Sequence, residues 1–245
     1  MLVSIVVPAY KQEKNIKEDI ESIYKVLSDS KWDFEIIVVV DGHVDKTFEE
    51  AKKLERENIK VVGYEENKGK GYAIKYGMGL SKGDWVAFVD AGMDLDRRSI
   101  RMLLDHMEWY DADIVVASKR HPVSRVEYPW VRKLYSWGYF AIVRVLFGLR
   151  LTDTQTGLKV FKREVLDAVL PKIRINDFAF DIEILAVSRH LGFTRIYESP
   201  VQIDWNHLQT NFHGFLFFNP EIRKMLTDTL AVFYRLKLAG YYNEK

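Results

Sequence analysis

Trp85-Val86-Ala87-Phe88-Val89-Asp90-Ala91-Gly92-Met93-Asp94-Leu95-Asp96 decides how this chain folds. Five apolar residues in an unbroken run make a strand buried on both faces, and three carboxylates follow where that strand ends. Acids gathered at the carboxyl end of such a strand suit a divalent cation that neutralises a diphosphate. The plainer alternative is a strand followed by the acidic cap of the next helix, with Asp96 ahead of Arg97-Arg98-Ser99-Ile100.

Outward from this stretch the same alternation repeats. Apolar runs at Val3–Val7, Phe34–Val40, Ile59–Tyr64 and Ile114–Ala117 are separated by amphipathic stretches over about 13–27, 45–57, 71–80 and 97–109. That is the pattern of an α/β domain with a mostly parallel central sheet flanked by helices. Ligands of such sheets sit beyond the strand carboxyl ends, so three turns are read together: Pro8-Ala9-Tyr10, Asp41-Gly42-His43-Val44-Asp45, and Asp90 to Asp96. Asp45 alone is an ordinary helix cap.

Composition narrows the partners. With 36 Lys and Arg against 35 Asp and Glu, the chain has no long-range field for a polyanion, so nucleic acid is not an expected ligand. There is no cysteine, which removes disulfides, thiolate metal sites and cysteine nucleophiles and fits an intracellular, cytoplasmic protein. Met1 to Pro8 reads as a first strand rather than a secretory signal. No apolar run approaches the ~20 residues of a membrane span, although Trp137 to Leu149 is apolar enough to lie on a membrane or to form a core helix. Asn67-Lys68-Gly69-Lys70-Gly71 is not a Walker loop, because Lys70 is followed by Gly71 and Tyr72; it is a glycine-rich turn whose amides and lysines approach an anion.

Together these segments resemble the family 2 glycosyltransferases of the GT-A fold. The resemblance is carried by VSIVVPAYKQEKNI (3–16), IIVVVDGHVDKT (36–47), NKGKGYAIKYGM (67–78) and GDWVAFVDAGMDLD (83–96). ASKRH (117–121), RKLYSWGYFAIVRVLFGLRLTDTQTGLKVFKREVL (132–166) and FAFDIEILAVSRHLGF (178–193) are similar to the dolichyl-phosphate mannose and glucose synthase branch. The likeness runs from residue 3 to about 205.

The resemblance implies an inverting transfer of mannose or glucose from a UDP- or GDP-hexose to a polyprenyl or dolichyl phosphate, assisted by Mg²⁺ or Mn²⁺. Residues bordering the donor would be Pro8, Ala9, Tyr10, Glu13, Asp41, Asn67, Gly69, Lys70, Asp90 and Ala91. Asp41 would accept from the base; Val40 stands where the family often has another acid. Gly92 stands where the family has its second metal-binding aspartate, so the metal would fall to Asp90 and Asp94. Lys119, Arg132 and Ser136 would hold the acceptor phosphate, and Asp90, Asp153 and Asp181 would be the catalytic acids. Residues read without the family leave Asp153 as a turn former and Asp181 as a helix N-terminal acid.

A phosphate acceptor is already ionised near neutral pH, so positioning suffices; a soluble or glycan hydroxyl would need Asp181 as general base. A third reading is a nucleotide-sugar-binding protein that lost its chemistry with the change at Gly92. The expected organisation is a GT-A domain over 1–210 and an aromatic, amphipathic helical extension over 211–245, with Pro220 opening a last helix to about Leu238 and a peripheral membrane contact on the cytoplasmic side.

Overall fold

The computed structural model describes residues 1–92, 95–124, 130–202 and 220–243, with side chains left out of the description at 130–136 and 220–222. Among the described residues seven strands form one sheet: β1 (Leu2–Ala9), β2 (Asp33–Asp41), β3 (Ile59–Tyr64), β4 (Trp85–Val89), β5 (Ile114–Ser118), β6 (Leu158–Lys162) and β7 (Ile196–Pro200). Their spatial order is β3-β2-β1-β4-β6-β5-β7. Pairing is parallel except along β6, which runs antiparallel to both β4 and β5. The five strands read from the sequence are all present, and two match residue for residue.

Helices cover both faces: α1 (Ile16–Ser28), α2 (Thr47–Lys52), α3 (Lys70–Leu80), α4 (Arg98–Trp109), α5 (Trp130–Phe147), α6 (Arg163–Val169), α7 (Phe180–His190) and α8 (Pro220–Phe233). The core is accordingly split into two clusters. Val3, Ile5 and Val7 of β1 face one, and Val6 faces the other. Burial on both faces is why the strands read as continuous apolar runs. In α1 the stripe Ile16, Ile20, Ile23 and Leu27 is fully buried, each side chain contributing roughly 1.5–3 kcal/mol.

Asp45 accepts from the Thr47 amide at 3.0 Å and Asp96 from the Arg98 amide at 2.9 Å, each lying one residue ahead of the N-cap, which is Lys46 in α2 and Arg97 in α4. Both acids thus serve the entry to a helix, but the expected N-cap position is displaced by one residue in each case. Two expected spans are shorter in the structure: α1 begins at Ile16 rather than Glu13, and α2 is confined to Thr47–Lys52. The last helix runs as expected, α8 being continued by a π-helical turn over Tyr234–Leu238. That segment is tied to α7 through Arg235, which pairs with Glu183 at 3.3 Å; the same carboxylate accepts from the Tyr242 hydroxyl and from the amides of Arg174 and Ile175.

Candidate active site

From β1 the chain winds outward through β2 to β3 and then crosses to β4 on the other side of β1. The carboxyl ends of β1 and β4 thus flank a topological switch point, the position where open α/β sheets bind ligands. Pro8-Ala9-Tyr10 leaves β1 on one side and Asp90-Ala91 leaves β4 on the other, joined by a bond from the Ala91 amide to the Pro8 carbonyl at 3.3 Å. Tyr10 is exposed at this edge, whereas Pro8 and Ala9 are buried. Glu13, one turn ahead of α1, accepts from the Lys46 amide at 3.2 Å and draws the loop after β2 toward the same edge.

Reversal of β6 brings a further segment here. Because β6 enters the sheet from the carboxyl end of its neighbours, residues 152–157 lie beside Asp90. The Asp90 amide donates to the Gly157 carbonyl at 2.9 Å. A Cβ at Gly157 would stand 1.9 Å from Asp90 Oδ2, so only glycine lets the carboxylate occupy this place.

Asp90 lies at one end of a line of alternating charges. Its Oδ2 accepts from Lys70 Nζ at 2.7 Å; Lys70 Nζ is 3.6 Å from Asp181 Oδ2; and Asp181 Oδ1 accepts from Lys159 Nζ. Burial disfavours the Lys70 ammonium, but Asp90 and Asp181 outweigh that cost and raise its pKa above the ordinary lysine value. Burial raises Asp90 in the same direction, opposed by Lys70. Lys70 comes from the first turn of α3, Asp181 from the first turn of α7 and Lys159 from the second position of β6.

Asp41 is used differently. Its Oδ1 accepts from the Lys68 amide at 2.7 Å, and its Oδ2 from the Gly69 amide and Asn67 Nδ2, both at 3.0 Å. Three of its roughly four acceptor positions are therefore taken by the 67–69 turn. Gly69 has φ +98°, and a Cβ there would meet the Asn176 carbonyl and Asp177 at 2.5 Å. The turn is thus packed between β2 and the segment that leads into α7.

At the end of β5, the Lys119 amide donates to Asp153 Oδ2 at 3.1 Å, and Thr156 Oγ1 donates to the same oxygen at 2.6 Å. Asp153 Oδ1 accepts from the Gln155 amide at 3.1 Å. Asp153 thus ties the 152–156 turn to the end of β5, and Lys119 lies at that junction. Asp94 lies outside the described residues, and Arg132 and Ser136 fall where side chains are not described.

Three residues with a part in the site were not singled out from the sequence. Asp19 lies in the buried face of α1, accepting from the Gly92 amide at 2.6 Å and pairing with Arg97, so it fixes both ends of the loop after β4. A charged residue inside the stripe Ile16, Ile20, Ile23 was the available signal. Lys159 was signalled in the same way, as a cation within the apolar run Leu158 to Phe161. Glu198 had no comparable signal; it accepts from the Thr152 and Asp153 amides at 2.7 and 3.0 Å.

The cation implied by the resemblance is tested by the oxygens. Asp90 Oδ1 is buried and has no hydrogen-bond partner, which fits a ligand of a hard cation that completes its shell with phosphate oxygens and water. Among the described residues no group of three or more His, Asp or Glu side chains forms a cage, and Gly92 adds no carboxylate. The fit is therefore to one described protein ligand, Asp90. Such a cation supplies positive charge to a departing diphosphate.

The family profile described as glycosyl transferase family 2 matches residues 4–170. The chain belongs to glycosyl transferase family 2. This family assignment agrees with the resemblance drawn from residues 3 to about 205. A dolichyl-phosphate beta-glucosyltransferase of Dictyostelium discoideum is 29% identical over 220 residues, covering 84% of this chain and 66% of that protein. Another of that name from Trichomonas vaginalis is 30% identical over 253 residues, covering 95% of this chain and 74% of its own length. The chain thus spans about two thirds of the first relative and three quarters of the second. Glucosyl-3-phosphoglycerate synthase of Mycobacterium tuberculosis, solved with Mn²⁺, UDP-glucose and phosphoglyceric acid, superposes with a TM-score of 0.71 at 20% identity, over 94% of this chain and 79% of that one. This likeness establishes the GT-A fold of the family 2 domain.

Proposed function

We propose that this family 2 glycosyltransferase moves a hexose, mannose or glucose, from a UDP- or GDP-sugar to a polyprenyl or dolichyl phosphate with inversion. The carrying observation is the state of Asp181. Both of its oxygens face lysine ammonium groups and its side chain is buried, so it does not present a free oxygen to an incoming hydroxyl. A phosphate acceptor needs no such base. The names of the two curated relatives support the same acceptor class.

In this reading Asp90 holds Mg²⁺ or Mn²⁺, together with Asp94, against the donor diphosphate. Pro8, Ala9, Tyr10, Glu13, Asn67, Gly69 and Ala91 border the nucleotide, and Asp41 gives its remaining acceptor position to the base. Lys70 lies beside Asp90, where negative charge develops as the bond to the sugar breaks; a preorganised cation there favours departure. Lys119, Arg132 and Ser136 take the acceptor phosphate, with Asp153 holding the end of β5 that carries Lys119.

The acceptor reading also asks for a surface that meets lipid. No described helix is long and apolar enough to cross a membrane. Two helices that touch through Tyr139 and Thr229 each leave apolar residues uncovered, Trp137, Ile142 and Val145 on α5 and Leu230, Tyr234 and Leu238 along α8 and its extension. The last three recur every fourth residue, and Arg144 and Lys237 are exposed beside them. We assign this face to peripheral contact on the cytoplasmic side of a membrane.

The test is incubation with UDP- and GDP-hexoses, Mg²⁺ or Mn²⁺, and either a prenyl phosphate or free glycans, followed by extraction of lipid-linked label. Label in the prenyl phosphate arm is the expected result, and Asp90→Ala should lower it by about three orders of magnitude. Transfer to glycans alone would reject the acceptor, and donor binding without transfer or hydrolysis would reject the enzyme.

A further inference from the structure

The line Asp90, Lys70, Asp181, Lys159 is graded in depth as well as in sign. At its mouth the side chains of Asp90 and Lys70 are 28% and 21% exposed, whereas those of Asp181 and Lys159 are 4% and 0% exposed. A ligand can reach the outer pair but not the inner one. Lys159 Nζ is spent on Asp181 Oδ1 and on the Thr156 carbonyl at 2.9 Å, and both lysine ammonium groups lie against the ring of Phe88.

Stability gives no reason for such an inner pair. Desolvating two charges costs about what their attraction returns, and apolar residues of the same volume would serve the core as well or better. Its geometry does have a consequence outside the core. A lysine carries a flexible stem and a point charge that is held only by its partners. Asp90 is one partner of Lys70; Asp181, fixed from behind by Lys159, is the other.

We infer that Asp181 and Lys159 are positioning residues, a buried counter-ion pair that holds the Lys70 ammonium at the mouth of the site for the donor diphosphate. The inference rests on the nucleotide-sugar reading above and gives Asp181 a task other than proton transfer. Lys159 anchors the carboxylate, the carboxylate sets the ammonium, and the ammonium meets the phosphate.

The experiment uses the full chain with Lys159→Met/Asp181→Asn, Lys70→Met, and the triple variant. The double variant buries no unpaired charge, so it should fold with a melting temperature close to that of the parent. Lys159→Gln/Asp181→Asn, which likewise buries no unpaired charge, provides a second route should the first double variant fail to fold. UDP and GDP binding, measured by calorimetry with Mn²⁺, should weaken about tenfold in the double variant, as for loss of one charge-assisted contact. The turnover number should fall while the KM for acceptor stays unchanged. Loss in the triple variant should not exceed that of Lys70→Met, because all three residues act through one ammonium.

Acetylation of Lys70 in the ligand-free protein, followed by mass spectrometry, should be slow in the parent and faster in the double variant. Unchanged labelling and unchanged nucleotide affinity in the double variant would overturn the inference, as would losses that add fully to that of Lys70→Met. A parent protein that binds neither nucleotide would instead sink the donor reading, and the labelling rates would still decide whether the inner pair fixes Lys70.

Discussion

The edge of the sheet at Asp90 and the outer face of α5 and α8 are built on opposite principles. At the edge there is little spare room: Asp41 is held by three bonds from a turn, Asp19 is taken up by the loop after β4, and a methyl group at Gly157 would overlap a carboxylate. On the helical face Val145 is 83% and Leu238 70% exposed, and a methyl group at Gly138 would meet nothing within 4 Å. Fixed charge needs a fixed frame, because misplacement by an ångström costs about two orders of magnitude in rate. A surface that meets something deformable needs only area and a suitable rim of charge.

The same substitution in the two regions puts this contrast to the test. Gly157→Ala should have the largest effect, lowering transfer about a hundredfold and stability by about 1–3 kcal/mol as Asp90 or β6 gives way. Rates near those of the parent would mean that the edge is more compliant than its packing indicates. Asp41→Asn comes next. It keeps the shape but replaces an acceptor-only group with one that carries two donors, so the bonds from the Lys68 and Gly69 amides cannot all survive. A loss of about 1.5–3 kcal/mol in thermal or denaturant unfolding is expected, with weaker nucleotide binding. Gly138→Ala should be the mildest, raising stability by about 0.5–1 kcal/mol in an exposed helical position and leaving transfer unchanged. A drop in transfer to prenyl phosphate in that variant would show that the helical face, too, is held to a tight fit.

Legibility in the sequence followed the same division. The strands ending at Ala9, Asp41 and Val89 were evident because burial on both faces writes apolarity into consecutive residues. Asp90 and Asp41 followed, since the end of a strand in such a sheet is a place as well as a residue. Asp181 and Lys159 were harder to interpret. Read without the family, Asp181 is a helix-terminal acid, and only the resemblance marks it for the site; Lys159 stands inside Leu158-Lys159-Val160-Phe161, where a lysine needs a buried partner that the local sequence does not name. Their pairing spans 22 positions and that of Lys70 with Asp90 spans 20, so no window of local periodicity contains either.

By itself, then, the sequence determined the alternation of strand and helix, the loops that carry acid, and the family to which they correspond, because hydrophobic period and turn chemistry act over a few residues at a time. Only the tertiary structure decided that β6 enters the sheet reversed, that Gly157 yields its side chain to Asp90, and that Lys70 is shared between Asp90 and Asp181. Those arrangements depend on which distant segments become neighbours, and that is settled by closing both faces of the sheet at once.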